Sequence, residues 1–264
     1  MLKKQGLRKI NFAGGEPFLY PRWLGPMLMF CKQELKLDSV SIVTNGSKVT
    51  EQFLQKYHPY IDIIAVSCDS FDENTNNRIG RGTGGGHHLK SVRNVAMLCR
   101  KYNIPLKINT VVNKFNFTED MNANIQELAP FRWKCFQVLV VDGENNQSVQ
   151  PKALRDASEF VITDDEFASF CLAHSHNNGF VAEPNRLMRS SYLILDEYLR
   201  FVDRGSPTRP IQEIGAQEAL KAAQWDEAAF NERGGIFSWT KEAIADGSTS
   251  GTQMCSAKAE NLDW

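Results

Sequence analysis

The chain has 264 residues, of which 42% are hydrophobic and 23% are charged, and its formal net charge is −1. This composition is typical of a globular protein with enough apolar side chains for a large core. The near-zero net charge argues against a nucleic-acid partner, since no basic field is present. No apolar run in the sequence is long enough for a membrane span, and the first residues lack the apolar core of a signal peptide.

The six cysteines are widely spaced, and no two of them stand in a C-x-x-C arrangement. Most of them lie inside apolar patterns, as packed thiols do. We therefore expect reduced structural thiols in a cytoplasmic protein, and neither a disulfide framework nor a zinc site. The six positions are Cys31, Cys68, Cys99, Cys135, Cys171 and Cys255.

Strand-like and helix-like segments alternate along the first half of the chain. The helical periodicities cover Trp23–Leu35, Thr50–Tyr57 (with Thr50 as N-cap), His88–Tyr102 and Met121–Leu128. The Val/Ile-rich runs predict strands at Arg8–Phe12, Ser39–Val43, Asp62–Ser67, Pro105–Val112 and Trp133–Val141. Such alternation predicts an α/β fold with a parallel sheet buried on both faces, either a Rossmann sheet or a barrel.

The pattern changes beyond about Asp142. A capping box that starts at Thr163 predicts a helix to about His174. The segment Tyr192–Val202 mixes strand and helix signals, and Ile211–Ala223 is predicted to be helical.

The first predicted strand runs directly into a small-residue turn that contains Gly14 and Gly15 and ends at Glu16. Adjacent glycines let the backbone bend and let a ligand approach the carbonyl groups closely. Parallel α/β folds place their active sites just past the carboxyl ends of strands. The turn is therefore a candidate binding site, although Gly-Gly-Glu-Pro alone also fits a plain chain reversal.

Several predicted strands carry cations. Lys107 and Asn109 stand two residues apart and therefore share one face, as do Arg132 and Lys134, and Lys9 interrupts the first strand. Because lysine is almost never buried unpaired, this pattern favours a phosphate-rich ligand held on one side of the sheet. Internal carboxylate partners, or side chains that reach solvent from strand ends, are the alternatives.

The glycine-rich stretch Ile79–Gly86 formally contains G-x-G-x-x-G. No strand leads into it, and it lacks the Gly-Lys-Ser/Thr ending of a phosphate-binding P-loop, so we reject both nucleotide-binding motifs. A mobile loop that presents Arg81 to an anion fits the sequence better. Tyr192 lies in an apolar segment, where a core tyrosine is the ordinary expectation.

Taken together, the motifs KINFAGGEPFL, SIVTNGS, SCDSFDE, IGRG, KINTVVN, RWKCFQ, SYLILDEY and the terminal LDW resemble the viperin family of radical S-adenosylmethionine (SAM) enzymes. The resemblance extends over essentially the whole chain. The Gly-Gly-Glu motif is common to many radical SAM enzymes, but its combination with Lys107, Asn109, Lys134 and Trp264 is specific.

The resemblance implies a partial TIM-like (β/α)₆ radical SAM barrel over residues 1–145, and a C-terminal α+β extension over residues 146–264 that covers the substrate site. In the family, a C-x-x-x-C-x-x-C loop after the first strand binds a [4Fe–4S] cluster. No such spacing occurs here. Because cluster irons require thiolate ligands, we expect an N-terminally truncated chain that lacks its first strand and cluster loop and is inactive as given.

The implied reaction is SAM-dependent radical dehydration of CTP or UTP to the 3′-deoxy-3′,4′-didehydro nucleotide, in antiviral defence. Tyr192 would assist the closing hydrogen transfer. The implied SAM-binding residues are Gly14, Gly15, Glu16, Asn45, Ser67 and Arg81. The implied residues for the nucleoside triphosphate are Lys9, Arg81, Lys107, Asn109, Arg132 and Lys134.

The resemblance also implies a partner, because the family's terminal tryptophan, here Trp264, docks with the cytosolic iron–sulfur assembly machinery. Animal relatives attach to the endoplasmic reticulum and lipid droplets through an upstream helix that is not present here. Two rival interpretations stay open: a non-catalytic nucleotide-binding or scaffold protein with the same fold, and an unrelated phosphate-binding barrel enzyme that uses acid–base chemistry.

Overall fold

The computed structural model describes residues 1–82, 87–141, 145, 156–188, 192–203, 206–223, 225, 226, 228 and 230. Its main feature is a six-stranded sheet in which every strand pairs in parallel with the next strand along the chain. The strands are β1 (Lys9–Phe12), β2 (Ser39–Thr44), β3 (Ile63–Ser67), β4 (Leu106–Val112), β5 (Arg132–Gln137) and β6 (Phe180–Glu183). This winding, with strand order identical to chain order, is that of a partial TIM-like barrel.

Helices connect the strands, as parallel pairing requires. They are α1 (Pro21–Gln33), α2 (Glu51–Tyr57), α3 (Glu73–Ile79), α4 (His88–Lys101), α5 (Asn122–Leu128) and α6 (Asp164–His174). Five of these six were predicted to within about two residues, the usual uncertainty of helix ends. The predicted caps are also confirmed, since Thr50 Oγ1 accepts from Phe53 N and Thr163 forms a capping box with Glu166.

One face of the sheet, which we call the helix face, forms the main core. Its strand residues, such as Ile42, Ile64 and Ile108, are buried in one cluster with helix residues such as Leu28 and Val95. On β4 the burial alternates strictly, with half-buried residues on the opposite face. The main helix-packed core therefore covers one face of β4, and the opposite face of this strand is half-buried.

The sequence did not predict β6. Its four residues pair with β5, so the sheet extends beyond residue 145, where the sequence placed a domain boundary. Gly179 precedes β6 with φ +72°, and a Cβ at that position would lie 2.4 Å from the Phe131 carbonyl oxygen. Only glycine permits this approach. In turn, β5 ends at Gln137 and does not continue to Val141 as predicted.

The described C-terminal part begins with α7 (Asn185–Met188) and continues with a small antiparallel sheet. The segment Tyr192–Val202, whose sequence mixed strand and helix signals, contributes strands to this sheet. Gly215, with φ +82°, splits the single helix predicted over Ile211–Ala223 into two. The elements are β7 (Ile194–Leu195), β8 (Phe201–Asp203), β9 (Ser206–Pro207), α8 (Ile211–Ile214) and α9 (Ala216–Ala222). Among the described residues, no helix has the length and apolar character that crossing a bilayer requires.

Candidate functional site

The strand register places the cations of three strands on the face opposite the helix face, which we call the inner face. Lys107 on β4 lies beside Arg132 on β5, and Asn109 lies beside Lys134. Side chains at paired positions of parallel strands point to the same side. Following the register through β3 and β2 places Lys9 of β1 on that side as well.

These cations are close enough on the inner face to repel one another, and the repulsion shifts their pKa values. Burial, and then repulsion from the two β5 cations and from Lys9, lowers the pKa of Lys107 from 10.5 to about 7. Burial, and then repulsion from Arg132 and Lys134, lowers the pKa of Lys9 to about 8. Like charges in a low-dielectric interior disfavour their charged forms. The structure therefore brings Lys9, Lys107, Arg132 and Lys134 together as one group, which we call the cation cluster.

A carboxylate that the sequence analysis missed faces this cluster. Glu183 on β6 is 0% exposed and forms an ion pair with Lys134 Nζ. It is in register with Phe136, one step along the inner face from Lys134. The sequence interpretation had allowed internal carboxylate partners, and Lys134 has one. The isolated acid of the FVAE segment was the available signal, but without a predicted β6 it could not be assigned to a face.

The turn after β1 is fixed to β2 by Glu16. Gly14 and Gly15 adopt φ values of +83° and +53°, which favour glycine. Glu16, only 8% exposed, accepts from Thr44 Oγ1 at 2.7 Å, from Phe18 N at 3.1 Å and from Asn45 N at 2.7 Å. A carboxylate has about four lone-pair positions, so one acceptor position of Glu16 remains for a further donor.

An unsatisfied acceptor lies between the cation cluster and β3. Asn109 Oδ1 is buried and has no hydrogen-bond partner. Its neighbours in register are Ser67, which is half-buried at the end of β3, and Lys134. A buried polar atom without a partner costs about 1–3 kcal/mol and is typical of a site that a ligand completes. The inner face thus offers an acceptor, Asn109 Oδ1, and a cation, Lys134, at one register level.

Arg81 lies beyond the end of α3, where its Nε donates to Asp69 Oδ2 at 2.5 Å. Asp69 Oδ1 accepts from Val111 N at 2.8 Å, so the arginine is tied to the carboxyl ends of β3 and β4. The sequence predicted a mobile loop that presents Arg81 to an anion. Residues 83–86 of that loop lie outside the described residues, and the pairing of Arg81 with Asp69 was not foreseen.

Two other predicted site residues lie in or near the C-terminal part. Tyr192 precedes β7 and is 39% exposed, so the ordinary expectation of a core tyrosine is wrong. Trp264, the predicted docking residue, lies outside the described residues.

The described cysteines are packed thiols, as predicted. Cys31, Cys68, Cys99 and Cys135 are buried, Cys171 is half-buried, and Cys255 lies outside the described residues. Burial raises the pKa of the Cys135 thiol well above its ordinary value. Across the described part of the chain, no group of three or more His, Cys, Asp or Glu side chains could hold a metal ion.

Known proteins match this chain over most of its length. Residues 1–128 match the model of the radical SAM superfamily. The S-adenosylmethionine-dependent nucleotide dehydratase RSAD2 of Oncorhynchus mykiss is 49% identical over 247 residues, which cover 91% of this chain and 70% of that protein. The Danio rerio relative of the same name is 47% identical and covers 91% and 68%. A bacterial S-adenosylmethionine-dependent nucleotide dehydratase from Lacinutrix mariniflava is 40% identical and covers 91% and 50%.

Solved structures support the fold independently. The chain resembles the structure described as native anSMEcpe with bound AdoMet, with a TM-score of 0.58 and 14% identity, over 88% of this chain and 71% of that one. At this level of identity the likeness concerns the fold alone. The family itself follows from the curated relatives, two of which share nearly half of their residues with this chain over most of both lengths. The chain therefore belongs to the S-adenosylmethionine-dependent nucleotide dehydratase family of radical SAM proteins.

Proposed function

We propose that the cation cluster binds the triphosphate of CTP or UTP, and that the site serves SAM-dependent dehydration of this nucleotide to its 3′-deoxy-3′,4′-didehydro analogue. The observation that carries the proposal is the convergence of four cations from β1, β4 and β5 on one face of the sheet. Such a group is costly without a polyanion and is stabilised by one. Family membership supports a nucleotide as that polyanion.

Within this proposal each inner-face residue has a role. Lys9, Lys107, Arg132 and Lys134 contact phosphate oxygens, and Asn109, whose Oδ1 is buried and unsatisfied, accepts from a ribose hydroxyl. Phosphate contact favours the charged forms of the lysines, so Lys107 and Lys9 take up protons when the nucleotide binds. The triphosphate is thereby fixed at several points, which orients the ribose for reaction.

The SAM site we propose lies at the carboxyl ends of β1 to β3. The carbonyl groups of Gly14 and Gly15 and the remaining acceptor position of Glu16 hold the ammonium group. Asn45, Ser67 and Arg81 line the same rim, with Ser67 and Arg81 on the SAM carboxylate. Bound SAM would supply the radical chemistry of the reaction, while the chain positions the ribose and excludes side reactions. We assign the closing hydrogen transfer to Tyr192.

We further propose that this chain on its own binds nucleotide without converting it. The 264 residues contain no C-x-x-x-C-x-x-C spacing, and the described residues hold no candidate metal group. The same observation favours a second candidate function, a nucleotide-binding or scaffold protein of this family without catalysis. A test of turnover is anaerobic iron–sulfur reconstitution followed by addition of SAM, reductant and CTP. We expect no 5′-deoxyadenosine, and nucleotide-dependent formation of 5′-deoxyadenosine would contradict inactivity.

The biological setting follows the family and is proposed on that basis. The modified nucleotide would act in antiviral defence, and the protein would be cytoplasmic. Trp264 would dock with the cytosolic iron–sulfur assembly machinery. Deleting Trp264 should then reduce co-purification of assembly factors from cells, and unchanged co-purification would contradict this role.

The proposed substrate class is tested directly by calorimetric titration of the 264-residue chain with CTP, UTP and cytidine. Because the cations contact phosphate, we expect CTP or UTP to bind at least about a hundredfold more tightly than cytidine, as for two or more charge-assisted contacts. Equal affinities for CTP and cytidine would contradict the proposal. Inorganic triphosphate, which lacks base and ribose, should compete with CTP.

A further inference from the structure

A carboxylate in a polyphosphate site needs an explanation, because it repels the ligand. Glu183 is fully buried on β6, and its carboxylate contacts Lys134 Nζ directly. Removing either partner of such a buried pair leaves an uncompensated charge in the interior, at a cost of about 3–5 kcal/mol. The pair is therefore an integral part of the inner face.

The charged groups around this pair come from four strands and the segment before β3. The charges acting on Lys107 are Lys134, Arg132, Lys9 and, with opposite sign, Glu183. Those acting on Lys9 are Arg132, Lys134 and, with opposite sign and the smallest effect, Asp62. Asp62 is already engaged, since it accepts from Lys32 Nζ at 2.9 Å and from Val40 N at 2.7 Å. The Lys134 ammonium also lies 5.7 Å from the centre of the Phe136 ring.

We propose that Glu183 is a positioning residue of the nucleotide site that acts through the cations: its carboxylate, paired with Lys134 Nζ, offsets part of the repulsion among the four cations before the nucleotide binds. The inference rests on the proposed function, namely that the cation cluster binds a nucleoside triphosphate. It assigns to β6 a role in the site, although β6 itself contributes no cation.

The consequence is a specific dependence on pH. The negative charge of Glu183 raises the pKa values of Lys107 and Arg132 relative to those they would have without it. Without that charge, Lys107 loses its proton at a lower pH in the free protein, and the nucleotide must restore that proton when it binds. At low pH, where the lysines are charged in any case, loss of the carboxylate removes only its repulsion of phosphate.

The test measures CTP affinity of the full chain between about pH 6 and pH 9, for wild type and Glu183→Gln. We expect the pH at which affinity falls by half to decrease by about one unit in the variant, the size of shift that one nearby charge produces. At about pH 6 the variant should bind CTP as tightly as wild type or more tightly. A purely structural role would instead weaken binding by the same factor at every pH, and this result would overturn the proposal.

Glu127→Gln is the matched control, because Glu127 is also paired with a cation, Arg93, but lies exposed on α5. The pH dependence of CTP affinity in this control variant should match that of wild type. Should Glu183→Gln fail to fold, the comparison moves to the Lys134→Gln background, where removal of the carboxylate no longer leaves the Lys134 ammonium without its partner. In the Lys134→Gln background, adding Glu183→Gln should still lower the pH at which CTP affinity falls by half. Identical pH values for the single and the double variant would overturn the proposal.

The proposed function and this inference fail in different ways. Wild-type chain that does not bind CTP at any pH contradicts the proposed function itself. The other outcome is that the wild-type chain binds CTP and Lys107→Met weakens this binding, while Glu183→Gln has the same pH dependence of CTP affinity as wild type. This outcome contradicts only the role of Glu183.

Discussion

The two faces of the parallel sheet are built from the same strands but have opposite effects on the stability of the fold. On the helix face, residues such as Ile108 and Trp133 are fully buried in the apolar core. On the inner face, two residues that alternate with them, Lys107 and Lys134, belong to the cation cluster. The helix face stabilises the fold through apolar burial. The inner face costs stability, because its charges are desolvated and repel one another.

This difference indicates that the inner face lowers the stability of the free protein and, in the proposed function, favours binding of a polyanion. A lysine pKa of about 7 means that the free protein holds the ammonium of Lys107 in an unfavourable environment. A polyanion removes that penalty when it binds. Substitutions on the two faces should therefore have opposite signatures, with loss of stability on one face and loss of affinity on the other.

The largest effect is expected from Trp133→Ala on the helix face. The indole packs edge-on against Phe170 and Phe180, and its Nε1 donates to Thr110 Oγ1 at 2.9 Å. Truncating a buried aromatic side chain costs about 3–5 kcal/mol. Urea unfolding followed by circular dichroism measures it. A loss below about 1 kcal/mol would break the comparison, since the helix face would then not carry the stability assigned to it.

The next effect is on affinity, from Lys107→Met on the inner face. We expect CTP affinity to fall by about a hundredfold, the loss of a charge-assisted contact of about 2–3 kcal/mol. The free energy of unfolding without ligand should stay the same or rise, because a buried charge is removed. Calorimetry and urea unfolding measure the two quantities. Lys90→Met, at an exposed position of α4, is the control and should change neither.

The third prediction concerns pH and stability. The folded-state pKa values of Lys107 and Lys9, about 7 and about 8, lie below the ordinary value of 10.5. Between these values the unfolded chain binds more protons, so the free energy of unfolding contributed by these groups rises as pH rises. Between about pH 7 and pH 8 we expect a gain of about 1–2 kcal/mol. Lys107→Met should reduce this dependence of the free energy of unfolding on pH. An unchanged dependence would indicate that the pKa of Lys107 is not lowered in the folded protein.

The smallest effect is expected at the N-terminus of α6, which belongs to neither strand face. Thr163 Oγ1 accepts a hydrogen bond from Glu166 N at 3.2 Å, and Glu166 Oε2 accepts one from Thr163 N at 2.8 Å. Replacing an N-cap threonine by alanine costs about 1 kcal/mol. Thr163→Ala should therefore lower stability by that amount and leave CTP affinity unchanged. A change in affinity would indicate coupling between α6 and the inner face.

Much of the fold could be predicted from local sequence, because apolar periodicity reports burial on the helix face. The strands β2 and β4 and the caps at Thr50 and Thr163 were predicted for that reason. The strand β6 was missed, since its four residues FVAE follow a polar loop and carry too short a pattern. Its place in the sheet depends on the close approach of Gly179 to Phe131, which is a tertiary contact.

The candidate site was predictable in part. Period-two spacing placed Lys107 with Asn109, and Arg132 with Lys134, because strand geometry is local. The partners of the cations were not predictable. Glu183 is 49 residues from Lys134, and Asp69 meets Arg81 only after α3 has reversed the chain. Pairing over such distances is fixed by the packing of the sheet and not by any local pattern.

The central claim, that the strained cations of the inner face receive a triphosphate, is tested most directly by proton uptake. Titration of the chain with CTP at about pH 8, in two buffers with different heats of ionisation, gives the number of protons exchanged on binding. Because the pKa values of Lys107 and Lys9 are about 7 and about 8 in the free protein, the account predicts net uptake of about one proton or more. CTP binding without proton uptake would contradict it.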